Sequence, residues 1–317
     1  MNRLLVSSCF SMVLTLSAAG WSQAIANPTD PAPAEIAHPV PVKLPIRLFW
    51  NYLVMVEGSI GNVQKLHFLV DTGAYPSIVD QKIARNLGLA EQPARVNLAN
   101  KSVPTGRVIL PSLIVGPVRA EALPVLTQDL SYMQKAVGYK VDAIIGLDVL
   151  RRSSFTIDYR SKEIRFGPVE GLTFSAPFDT DEPVVTIRAK LQNHPLRLVV
   201  DTGSPDVMLF ESRMSDSAGL QTLGTQETVN ASGTLRLRKV WIPEVYLGKE
   251  RIGGQAAFIV NDHKDAGDDF DGVLGMKTPQ QSKVAFDFER RCFSWELSGA
   301  APRVAPAAIL AINNKTR

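Results

Sequence analysis

Two short runs in this chain carry the same three residues in the same setting. Asp71-Thr72-Gly73 follows Leu66-His67-Phe68-Leu69-Val70. Asp201-Thr202-Gly203 follows Leu196-Arg197-Leu198-Val199-Val200, 130 residues later. One Asp-Thr-Gly after an apolar run reads as a β-turn. Two copies, each behind a strand-like segment, call for another explanation. Two carboxylates brought close together cannot both stay ionised, so the pair holds one proton and titrates as a unit. The ionised member can then take a proton from water, and the protonated member can donate to a carbonyl oxygen.

The elements that would position these residues also come in pairs. Leu53 to Val56 and Val184 to Ile187 precede the two aspartate strands as hairpin partners, with turns near Gly61-Asn62 and Asn193-His194-Pro195. Downstream, Asp142-Ala143-Ile144-Ile145-Gly146 matches Asp271-Gly272-Val273-Leu274-Gly275. Further on, Phe155-Thr156-Ile157-Asp158 matches Val284-Ala285-Phe286-Asp287, each followed by a charged turn and a return strand near Ile164 or Phe293. Asp80 as N-cap and Gly88 as stop predict a helix over Gln81 to Leu87, and Glu211 to Ser217 predicts a weaker one. A βαβ alternation is missing, so the chain reads as mostly β.

The 317 residues are 45% hydrophobic and 21% charged, with a formal net charge of +3. The cations are scattered rather than striped, which argues against a nucleic-acid partner. Residues 1–26 read as a signal peptide: a positive start at Arg3, an apolar run from Leu4 to Ala19, and the small residues of Ala24-Ile25-Ala26. The expected location is therefore exported, periplasmic or secreted, with no stable membrane insertion once the signal is removed. Cys9 would leave with that segment. Cys292 would then be alone, so stability must come from the core. Six prolines make 27–45 a Pro-rich linker, and 298–317 reads as a flexible tail. The remainder divides into a first half, 46–168, a linker, 169–183, and a second half, 184–297.

Leu69-Val70-Asp71-Thr72-Gly73-Ala74 and Val199-Val200-Asp201-Thr202-Gly203-Ser204, with Ile144-Ile145-Gly146 and Val273-Leu274-Gly275, resemble the signature of the retropepsin-like aspartic proteases. The resemblance covers nearly all of 46–297, in two copies. It implies two tandem β-barrel halves related by a pseudo-twofold axis, with the cleft between them and Asp71 and Asp201 as the catalytic pair. It further implies that Thr72 and Thr202 interlock across the axis and that Gly73 and Gly203 let backbone amides approach the carboxylates. Gly146 and Gly275 would let a neighbouring segment pack behind each loop. The implied activity is endopeptidase cleavage of a peptide or protein substrate, by a monomer, with no cofactor and no metal.

Ala74 and Ser204 make the two motifs unequal. A serine hydroxyl donating to Asp201 would favour its ionised form, leaving the proton on Asp71. Asn100-Lys101-Ser102 and Asn230-Ala231-Ser232 share one offset from their aspartates and read as hairpin tips that are candidate flaps. The acidic run from Asp262 to Asp271 lacks calcium-loop spacing, the four histidines lack zinc spacing, and Cys292 reads as a packed thiol. An alternative to the protease is a catalytically silent peptide-binding or regulatory module on the same fold. A protease with one narrow target is a third reading.

Overall fold

The apolar runs that flank the repeated motifs become interior strands because both faces of each are covered. In a computed structural model, which describes residues 14–15, 41–98, 101–179, 183–191, 194–214, 220–230, 233–261, 270–277 and 281–297, Phe68, Leu69 and Val70 are all buried, as are Leu198, Val199 and Val200. A two-residue strand β1 (Leu14–Thr15) is followed by β2 (Val42–Pro45), β3 (Arg47–Phe49), β4 (Leu53–Ile60), β5 (Val63–Val70), β6 (Ile78–Asp80) and α1 (Gln81–Asn86). Next come β7 (Gln92–Leu98), β8 (Lys101–Val115), β9 (Val118–Gln128), α2 (Ser131–Val137), β10 (Ala143–Ile145), α3 (Leu147–Leu150), β11 (Phe155–Asp158) and β12 (Glu163–Phe166). The second half contains β13 (Phe174–Asp179), β14 (Thr186–Leu191), β15 (His194–Asp201), β16 (Val207–Phe210), β17 (Gln221–Asn230), β18 (Gly233–Leu247), β19 (Glu250–Val260), β20 (Gly272–Gly275), β21 (Gln281–Asp287) and β22 (Cys292–Leu297).

The two halves share one topology. The first runs β7-β8-β9-β6-β10-β5-β4 and closes by pairing β8 with β4. The second runs β17-β18-β19-β16-β20-β15-β14 and closes by pairing β18 with β14. Closure removes most of the open edge that such a sheet would otherwise expose. In both, the strand leading to the aspartate runs parallel to the strand ending in the second glycine motif. Ile144 lies beside Leu69, and Leu274 beside Val200.

Below the halves lies a shared antiparallel sheet ordered β2-β12-β11-β21-β22-β13. Its centre pairs β11 with β21, Phe155 opposite Phe286 and Ile157 opposite Val284. Rings fill the space on this sheet: Phe155 stacks on Phe286 at 4.8 Å and Phe293 on Trp295 at 5.5 Å between centroids. All four are fully buried.

Two segments expected as connectors contribute strands to this sheet. The expected leader 27–45 ends in β2, which pairs with β12, and the expected linker 169–183 contains β13, which pairs with β22 and β14. Prolines made both segments read as connectors. At the sheet margin, where one side of the backbone needs no ladder partner, Pro45 and Pro177 are accommodated. The expected helix after Asp80 forms as α1, with the Asp80 side chain accepting from the Lys82 amide. Its second-half counterpart is a single 3₁₀ turn, Glu211–Arg213, and 215–219 lie outside the described residues. Helices α2 and α3 had no expectation behind them. The flap candidates lie at the ends of the β7–β8 and β17–β18 hairpins, with 99–100 and 231–232 outside the described residues. Residues 1–13, 16–40 and 298–317 and the acidic run 262–269 also lie outside them.

Because the β11–β21 contact joins both halves to one core, truncating it should destabilise the chain as a whole. Phe286→Ala is expected to cost about 3–5 kcal/mol in a urea titration. The loss should appear in one transition for both halves, and two separated transitions would contradict the shared core.

Candidate active site

Each aspartate sits one step beyond an interior strand, and a second acid clips that strand in place. Asp142 accepts the His67 amide at 2.9 Å while its own amide donates to the His67 carbonyl at 2.9 Å. Asp271 repeats this with Arg197, at 2.8 Å in both directions. The reciprocal bonds fix where β10 and β20 begin, and so where Gly146 and Gly275 fall behind the Asp-Thr-Gly loops. Sequence reading saw both acids as repeats without seeing this role. Their recurrence at matching positions was the available signal.

The two loops lock each other across the pseudo-twofold. The Thr72 amide donates to Thr202 Oγ1 and the Thr202 amide to Thr72 Oγ1, both at 3.0 Å. Each hydroxyl then donates onward across the axis, Thr72 to the Val200 carbonyl at 2.6 Å and Thr202 to the Val70 carbonyl at 2.9 Å. These four bonds are buried, where an unmade bond costs more than a made one gains.

The lock brings Asp71 and Asp201 together, with 1% and 0% of their surface exposed. Asp71 Oδ1 accepts the Gly73 amide at 2.9 Å, and Asp201 Oδ1 the Gly203 amide at 2.7 Å. A side chain could not stand at either glycine. A Cβ on Gly73 would lie 2.6 Å from Asp201 Cγ, and one on Gly203 would lie 2.7 Å from Asp71 Oδ2. Gly146 and Gly275 are similarly tight, against the Ala74 carbonyl and the Asp206 amide. The Ala74 and Ser204 carbonyls accept from the Leu147 and Met276 amides at 3.0 and 2.9 Å. All the residues singled out in the two motifs therefore converge on one centre.

Among the described residues, Oδ2 of Asp71 and Oδ2 of Asp201 are buried without a hydrogen-bond donor. One proton held between the carboxylates gives both a partner. Burial pushes both carboxyls up. Asp201 reaches about 6, while Asp71, also facing the charge of Asp201, lies well above the usual carboxylate range. The amides of Gly203, Ser204 and Gly73 favour ionised Asp201; those of Gly73 and Ala74 favour ionised Asp71. Backbone amides thus favour the ionised form of both members of the pair. Ser204 Oγ donates to the Asp206 carbonyl at 3.3 Å, and the Ser204 amide favours ionised Asp201.

Several neighbours were not visible in the sequence. Burial and the charge of Asp71 raise the Tyr132 phenol, and burial and the charge of Asp201 raise that of Tyr159. Each carboxylate thus has a tyrosine within range of its field. Ser77 braces the first loop alone: its hydroxyl donates to Asp148 Oδ1 at 2.6 Å and accepts the Gly146 amide at 2.8 Å. The second half has Val207 and Lys277 at the corresponding places, so no repeat pointed to this brace.

Residues 56–149 and 186–278 each match the model of a family described as aspartyl protease, one match to each half. No curated protein matches the chain.

Two outcomes follow from this geometry. Thr202→Val strands the Val70 carbonyl and the Thr72 amide of their partner and should cost about 2–5 kcal/mol, while Thr202→Ser should restore most of it. Because burial raises the aspartates, their contribution to stability is full below the unfolded value near 3.8 and is lost as pH rises through about 6. Asp201→Asn removes that loss, so its stability relative to the parent should grow by about 1–3 kcal/mol from pH ~4 to ~8, read as paired thermal midpoints. A gap that shrinks with pH would overturn the assignment.

Proposed function

The chain belongs to the aspartyl protease family, and on that premise we propose that it is an endopeptidase that hydrolyses peptide bonds with a water activated between Asp71 and Asp201. Ionised Asp201 takes a proton from the water as its oxygen attacks the scissile carbonyl carbon, and Asp71 gives its proton to the carbonyl oxygen. The tetrahedral intermediate then collapses. The carbonyl reforms as its hydroxyl returns a proton to Asp71, the C–N bond breaks, and the departing nitrogen takes the proton held by Asp201, so the pair ends with its single proton on Asp71. The reaction as written uses no metal and no cofactor.

The observation that carries this reading is the pair of donorless Oδ2 atoms, held face to face by the reciprocal threonine bonds. Such an arrangement strains a protein unless one proton is shared, and that shared state is the one the reaction needs. Each half supplies one aspartate and one threonine, which supports activity as a monomer. The β7–β8 and β17–β18 hairpins support an extended peptide or protein segment as substrate, laid between the halves. The exported location expected from residues 1–26 is part of the same proposal.

The experiment is incubation of residues 27–317 with a diverse peptide pool across pH, with cuts read by mass spectrometry. Asp71→Asn and Asp201→Asn should each lower kcat/KM by about 10²–10⁴-fold or more. The parent should gain activity as pH rises through about 6, where Asp201 loses its proton, and lose it where Asp71 deprotonates. An optimum in strong acid would contradict the assignment of charge. Cutting that survives both substitutions would remove the pair as the active site. A folded chain that cuts nothing would favour a silent peptide-binding module or a single-target protease.

A further inference from the structure

A cavity of about 410 Å³ opens on the first half, at the small end of ligand-sized clefts, about 300–1,000 Å³. It lies beside His67, four residues and roughly 13 Å along β5 from Asp71. The buried Ile46, Met55 and Val56 line it, with Met55 on the strand face that also carries Glu57. Its rim carries Arg47, Lys162 and Glu57. Among the described residues, none of these three side chains makes an ion pair or a hydrogen bond.

The rim is nevertheless built. The Arg47 guanidinium lies 4.3 Å from the centroid of the Tyr139 ring. Tyr139 is held in turn by His67, its hydroxyl 3.1 Å from Nε2 and the two rings edge-to-face at 4.8 Å. His67 Nδ1 faces Asp142 Oδ2 at 3.4 Å, and the other oxygen of that buried acid takes Lys140 at 2.8 Å. A packed series thus runs from a buried carboxylate past His67 and Tyr139 to a guanidinium that has no anion among the described residues.

The second half does not repeat this feature. The strand positions of Met55, Glu57 and His67 are occupied by Thr186, Arg188 and Arg197, although Asp142 and Asp271 make the same backbone clip. The fold therefore does not require the cavity's chemistry.

We propose that this cavity binds a small zwitterion of the amino-acid class. Arg47 and Lys162 hold its carboxylate, the guanidinium offering two parallel donors. Glu57 holds its ammonium group, and an apolar side chain rests against Met55, which shares the strand face of Glu57. A simple anion meets Glu57 as a like charge, which disfavours phosphate.

The test is titration calorimetry of the full chain with L-leucine, alongside leucinamide, which lacks the carboxylate, 4-methylpentanoate, which lacks the ammonium group, and inorganic phosphate. Leucine should bind more tightly than all three. Arg47→Gln and Lys162→Gln should each weaken it by about tenfold. Glu57→Gln should weaken leucine but tighten 4-methylpentanoate, which then no longer meets a like charge. Asp71→Asn should leave leucine binding intact, separating this cavity from the cleft. The proposal fails if leucine does not bind at millimolar concentration, if the rim substitutions leave binding unchanged while circular dichroism shows a folded chain, if Asp71→Asn abolishes binding, or if phosphate binds more tightly.

Discussion

Two acids that repel one another have to be held in contact, out of water, for this chain to have a centre at all. The desolvation of Asp71 and Asp201 opposes folding whenever both are charged, and it is the largest influence on either carboxyl. The threonine lock is what resists that opposition. It ties backbone to side chain in both directions, so neither loop can withdraw without leaving buried groups unpaired. The glycines are required for the same reason, since the second carboxylate occupies the space where a side chain would stand.

The lock is short-range and needs a rigid support. That support is layered. The Asp142 and Asp271 clips set the register of the interior strands, the closed halves bury those strands on both faces, and the shared sheet fixes one half on the other through stacked rings. Burial of large side chains supplies most of the favourable free energy. The polar contacts at the centre choose one geometry among the compact alternatives.

Much of this was legible in the residues, for identifiable reasons. The aspartate strands were visible because Leu69-Val70 and Val199-Val200 are apolar and recur at one spacing. Helix α1 was visible because Asp80 is a good N-cap. Helix α2 was not: its N-cap position is Leu130, with no capping side chain, and the Leu130 amide is instead held by Asp80 Oδ2 from fifty residues away at 3.1 Å. The edge strand β2 and the strand β13, whose Pro177 lies in the stretch paired only with β22, were hidden by their prolines, which such positions tolerate and a sequence cannot assign. Ser204 was read by its side chain, whereas its amide also favours the ionised acid, a contact that residue type does not reveal.

The strand β13 has a consequence for how such a chain can change over time. By joining the halves covalently within the shared sheet, it replaces an encounter between separate molecules with an intramolecular docking, at an effective concentration far above that of free chains. The assembled state then no longer depends on how much protein is made. A substitution in one half is also no longer copied into the other. Val207 can stand opposite Ser77, and Arg197 opposite His67, without either half losing its partner. Symmetry is retained where the two acids meet and relaxed elsewhere, leaving each half open to acquire features of its own.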